Sequence, residues 1–156
     1  MHDTRNGLGD IDALAAALVE LMSFLNSPRR DEVLLREAGV SLDRALFPLL
    51  VRLGARGPLS VAGLADQVGR DHTTLSRQLA KLEGLGLIAR HGGEGDRRVR
   101  TAHLTAAGEA AVQAITAARR RLLSKALAGW DPADRARLAA LNRRFVDALA
   151  KPAGAN

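Results

Sequence analysis

The chain of 156 residues contains no cysteine. That absence excludes disulfide cross-links, thiolate metal sites and a peroxide switch built on a thiol. Aromatic residues are scarce too, at 3% against a hydrophobic fraction of 47%. A core must therefore come mainly from Leu, Ala and Val, which favours Ala-rich helices over a β-sandwich. No segment approaches the roughly 18 uninterrupted apolar residues of a membrane span, and the N-terminal MHDTRNGLGDID lacks the basic and apolar regions of a secretory signal. The expected location is cytoplasmic, with no membrane partner. Enzymatic signatures are missing as well: there is no phosphate loop, nucleophile elbow or HExxH pattern, and the His and carboxylate residues are scattered. The reading is of a non-enzyme with no cofactor and no metal site.

What is present is length enough for one domain, residues 1–156, and an excess of positive charge. The 23 Lys and Arg against 17 Asp and Glu give a net charge of +6, which would help attract a polyanion and is also compatible with a plainly solvated surface. Ile11, Leu14, Leu18, Leu21, Met22 and Leu25 recur in steps of three and four, predicting an amphipathic helix with Asp10 as its N-cap. Pro28 breaks it, and a short second helix is expected to end at Gly39. From Ser41 the pattern predicts another helix with Leu46, Leu49, Leu50 and Leu53 inward, Arg44 and Arg52 outward, and Pro48 as an interior anomaly. Ser60 should cap the next helix, Gly69 close it and Asp71 cap the one that follows, roughly His72 to Leu85. LIARH and VRTAHL then read as the strands of a hairpin around the loop GGEGDRR. Thr105 should cap a long helix with Ala111, Ile115, Ala118 and Leu122 in its seam. Asp131 and Pro132 restart a last helix striped with Leu138, Leu141, Phe145 and Leu149. The fold class is thus mainly α with a small β-hairpin wing: a winged helix-turn-helix at about 41–104, flanked by terminal dimerisation helices at about 10–40 and 105–150.

Two short helices around a Gly-centred turn, followed by a hairpin with a basic loop, make double-stranded DNA the first partner to consider. On the second helix Leu75, Leu79 and Leu82 fall on one side; Thr73, Arg77 and Lys81 occupy the opposite arc, with Thr74 and Ser76 near its edges. Arg can hold guanine O6 and N7 with two bonds, so Arg77 is expected to read bases, whereas Lys81, farther along, is expected to meet phosphate. In the hairpin loop, Arg97, Arg98 and Arg100 suit the negative potential of a narrow minor groove, and Asp96 is assigned to aim Arg98.

The blocks GPLSVAGLADQVGRDHTTLSRQLAKLEGLGLIAR, GDRR and LTAAGE resemble the DNA-binding core of MarR-type transcriptional regulators. That family's pattern is a D-x-(S/T)-T-(V/L)-S-R helix, an L-E-x-x-G-L turn and a D-x-R wing before L-T-x-x-G, and the match runs in order from residue 57 to 109. By resemblance, Thr73, Thr74, Ser76 and Arg77 take recognition-helix positions and Asp96 and Arg98 the wing pair. Gly92, Gly93 and Gly95 depart from the Pro and Asp residues common in such wings, and residues 26–40 transfer nothing. The resemblance implies a repressor released from its operator when a small aromatic or phenolic effector binds between the dimerisation and DNA-binding regions.

The apolar seams of the first and last helices predict a two-fold homodimer and hence a pseudo-palindromic operator, the alternative being a monomeric helical bundle. Phe24, Phe47 and Arg52 are the effector-pocket candidates; core or surface placement is the plainer reading of each. Two other functions compete. A winged helix can serve as a protein-interaction module. A metal-responsive regulator would draw on His72, His91 and His103, which lack a clear ligand spacing and are explained more simply as solvent-exposed.

Overall fold

Helix boundaries in this chain are set by a handful of caps and breakers. The computed structural model describes residues 4–92 and 100–150. Helix α1 spans Thr4–Leu25, so Asp10 is not its N-cap but an interior residue. The two glycines ahead of Asp10 each cost a helix only about 1 kcal/mol, which does not stop it from extending. Helix α2, Pro28–Ala38, opens with a proline where no N–H is needed, and closes at Gly39, whose φ of 65° is the left-handed conformation of a C-cap.

Helix α3 is Phe47–Arg56, shorter than the pattern from Ser41 predicts. Asp43 is the reason: its side chain accepts from the Ala45 N–H at 2.8 Å and its carbonyl from the Leu46 N–H at 2.9 Å, forming a turn before the helix begins. Pro48 consequently sits in the first helical turn, where its missing N–H breaks no bond and the expected anomaly disappears.

Strand β1 (Leu59–Ser60) leads into α4 (Val61–Val68) and α5 (His72–Gly84), followed by β2 (Ile88–Gly92), β3 (Arg100–Leu104), α6 (Ala106–Ala126) and α7 (Pro132–Ala150). The three strands form an antiparallel sheet in the order β1-β3-β2. The hairpin was expected; β1 was not, because two residues carry no periodicity.

The core collects Leu49, Leu50 and Leu53 from α3, Leu64 from α4, Leu75, Leu79 and Leu82 from α5, Ile88 and Ala102 from the sheet and Ile115 from α6. Two small residues let α6 dock on this body. Thr105 accepts the Gly108 N–H at 3.1 Å and donates its hydroxyl to the Gly86 carbonyl at 2.6 Å. A Cβ at Gly108 would collide with the Leu87 carbonyl oxygen, so only glycine permits the approach.

The chain divides into two compact units, Met1–Ala118 and Arg119–Asn156. In the second, Asp131 caps α7 by accepting the Ala133 N–H at 2.7 Å, as its Asp-Pro start predicts. No residue of α7 is buried. Among the described residues no single helix is long and apolar enough to cross a membrane.

Candidate nucleic-acid interface

The site is built on α4, the turn after it, and α5. Ser60 starts α4 by accepting the Gly63 N–H at 3.0 Å. Gly69 ends it at a φ of 62°, a conformation a side chain would strain, and so turns the chain sharply into α5. Arg70 then locks the turn: its Nη1 donates to the Ala45 carbonyl at 2.9 Å and to Gln78 Oε1 at 2.6 Å, tying the loop before α3 to α5.

Asp71 caps α5 twice over. One carboxylate oxygen accepts the Thr74 N–H at 2.8 Å and the other the Thr74 hydroxyl at 2.6 Å. These bonds, the hydroxyl first, hold the Asp71 carboxyl below its ordinary pKa of 3.8. They also commit the Thr74 hydroxyl proton, leaving that side chain free only as an acceptor.

Leu75, Leu79 and Leu82 are each 0% exposed, pinning one side of α5, while Thr73, Thr74, Ser76, Arg77 and Lys81 all face solvent. The exposed residues do not form a single cluster. Thr73, Ser76, Arg77 and Ala80 on α5 share a shallow concavity with Arg90 on β2 and Arg100 on β3. Lys81 lies elsewhere, beside Ser41, Leu42 and Leu85. Asp96, Arg97 and Arg98 lie outside the described residues, so of the expected wing cations only Arg100 is placed, exposed at the start of β3.

Arg90 is the residue that sequence reasoning missed. Its Nε and Nη2 both donate to Glu83 Oε2, at 2.9 and 2.6 Å, joining the C-terminal end of α5 to β2. The bonds from Arg90, with a smaller contribution from the charge of Arg100, hold the Glu83 carboxyl below its ordinary pKa of 4.5. The strand register, which the sequence alone does not give, brings it there: Arg90 pairs with Ala102 and Gly92 with Arg100. Arg90 and Arg100 therefore share the sheet face that carries the buried Ile88 and Ala102.

The effector candidates have separate surroundings. Phe47 belongs to the core at 8% exposed. Phe24 has the Arg30 guanidinium carbon 3.3 Å above its ring centre, and Arg52 reaches Gln67 Oε1 at 3.5 Å. None of the three lines the concavity of about 480 Å³ formed by Leu53, Gly54, His103, Glu109, Val112 and their neighbours. His91 and His103 stack with ring centres 4.6 Å apart. Among the described residues no three His, Asp or Glu side chains gather as metal ligands.

Residues 42–99 match the MarR family model. Over 111 residues, 69% of this chain and 78% of the relative, the sequence is 32% identical to the uncharacterized HTH-type transcriptional regulator YxaD of Bacillus subtilis. A MarR family protein from Bacillus stearothermophilus superposes with a TM-score of 0.74 at 18% identity, over 96% of this chain and all (100%) of that one. MepR of Staphylococcus aureus, solved in complex with DNA, superposes with a TM-score of 0.59 at 21% identity, over 86% of this chain and 97% of that one. The two structural likenesses carry the winged-helix fold; with the family match and the B. subtilis relative beside them, the chain belongs to the MarR family of transcriptional regulators.

Proposed function

We propose that this regulator binds double-stranded DNA sequence-specifically as a cytoplasmic homodimer, and represses transcription until a small aromatic or phenolic effector releases it from a pseudo-palindromic operator. The observation that carries the DNA reading is α5, whose leucines are fully buried while Thr73, Ser76 and Arg77 project outward beside Arg90 and Arg100. Hydroxyls allow close approach to a groove floor, and guanidinium groups bond guanine edges or phosphates. A module for docking proteins has no need of such a concentration of cations on one exposed surface. MepR, which shares the fold, has been captured on DNA.

The dimer reading is supported separately on each unit. Helix α1 exposes Ile11, Leu14, Val19 and Met22, and α7 exposes Leu141 and Leu149; a second copy would take these side chains out of water. Two recognition helices would then enter successive major grooves about one helical turn apart. An effector releases such a dimer only by binding one spacing of the two helices better than the other.

The test is a fluorescence-anisotropy titration of a duplex selected from a random library and of an unselected duplex, at several salt concentrations. Tighter binding to the selected duplex, with log-linear salt dependence on both, is expected. Absence of any salt slope would sink the DNA reading. Failure of a broad panel of salicylate-like compounds to shift the selected complex would remove the effector.

A further inference from the structure

A winged helix that places α5 in a major groove and its hairpin tip in the neighbouring minor groove has to accommodate the sugar-phosphate ridge that separates the two. The surface available for that ridge is the concavity between α5 and the hairpin. Its walls are His72, Thr73, Ser76, Arg77 and Ala80 on the helix side and Arg90 and Arg100 on the strand side. Two hydroxyls and three guanidinium groups converge there, the donor set that phosphate oxygens require. Ala80, with no side chain beyond Cβ, keeps the middle of the helix wall low.

Within this set Arg90 has a partner that fixes its direction. Its side chain is 20% exposed, and Glu83 Oε2 accepts from both Nε and Nη2, while the Glu83 side chain is 40% exposed. A guanidinium has five N–H donors in a rigid plane, so two bonds on one edge orient the other edge and leave Nη1 available for a second acceptor. Glu83 brings a negative charge to a surface that should repel none of its ligand. That cost is understandable if its service is to hold Arg90 in a single geometry.

We propose that Arg90 is a phosphate contact in the cleft between the recognition helix and the hairpin, and that Glu83 is its positioning residue. The proposal rests on the DNA reading above and assigns a further part of the same site. Arg77 reads base edges at the exposed arc of α5; Arg90 grips the backbone crossing behind it and sets how deeply the helix seats. Because the contact is to phosphate, it contributes alike to every sequence.

Arg90→Gln and Glu83→Gln test this in the full-length protein, with circular dichroism melts to confirm folding. Gln at position 90 keeps an amide donor toward Glu83 and removes the charge. It should weaken selected and random duplexes equally, about tenfold at low salt, and reduce the slope of log affinity against log salt by about 0.9. Glu83→Gln decides by its sign: removing a carboxylate from a DNA-facing surface should tighten binding by simple charge, whereas loss of the aimed Arg90 should weaken it several-fold. Weaker binding by Glu83→Gln supports the positioning role even if Arg90→Gln fails to fold; tighter binding overturns it. An unchanged salt slope in folded Arg90→Gln overturns the phosphate contact. If the wild-type protein itself shows no salt slope, the DNA reading fails first, which separates the two.

Discussion

Helices α5 and α7 carry apolar stripes of the same kind, yet they end in opposite circumstances. In α5, three leucines spaced four and three residues apart are buried completely within the chain. In α7, 19 residues long, nothing is buried, and Leu141 and Leu149 remain 61% and 69% exposed. Periodicity establishes that a face is apolar; it does not say whether the same chain or another copy covers it. Helix α5 is therefore a finished element, whereas the apolar stripe of α7 is left exposed, as the proposed homodimer requires.

The largest effect that separates them is on stability. Leu79→Ala should destabilise the fold by about 2 to 5 kcal/mol, as expected for emptying a fully occupied core position, read from denaturant unfolding. Leu141→Ala should instead leave unfolding of the winged-helix unit nearly unchanged at high protein concentration and raise the concentration at which copies associate in sedimentation velocity. If Leu141→Ala costs as much as Leu79→Ala at every concentration, the α7 stripe is packed within one chain and the contrast fails.

The second prediction sharpens the comparison inside α5. Arg77 stands in the concavity with Thr73 and Ser76, whereas Lys81 borders the loop before α3. Arg77→Ala should cost about 1 to 3 kcal/mol and relax discrimination at one base pair, while Lys81→Ala should weaken all duplexes alike. Equal losses on selected and random DNA for both variants would show that neither reads sequence.

Legibility followed the range of the forces involved. The caps at Ser60, Asp71, Thr105 and Asp131 and the left-handed Gly39 and Gly69 were readable because each satisfies backbone groups within a few residues. The buried side of α5 was readable for the same reason of local spacing. Three features were not. The start of α3 depends on Asp43 bonding its own neighbours instead of admitting a helix from Ser41. Strand β1 exists only because β3 offers it a ladder. Arg90 joins the site through Glu83, seven residues away in sequence but on a different element, and hydrophobic pattern carries no record of such a polar pairing. The wing assignments Asp96, Arg97 and Arg98 lie outside the described residues and stand as proposals.

The smallest predicted effect concerns the cap that starts the recognition helix. In the folded protein the Asp71 carboxyl has its pKa lowered from 3.8, chiefly by the Thr74 hydroxyl and next by the Thr74 N–H. A depressed carboxylate stabilises the fold at all pH values above its unfolded pKa, and that contribution is lost as pH falls through the folded value. Wild-type stability should therefore decline as pH drops below about 4, in part through this group. Asp71→Asn retains a capping oxygen for the Thr74 N–H but cannot titrate. Melting temperatures measured between neutrality and strong acid should show a shallower acid limb for Asp71→Asn, with wild type and variant converging as the wild-type carboxyl protonates. Parallel curves would mean that the Thr74 bonds contribute nothing charge-dependent, and that α5 starts where it does because its leucines, and not its cap, fix it.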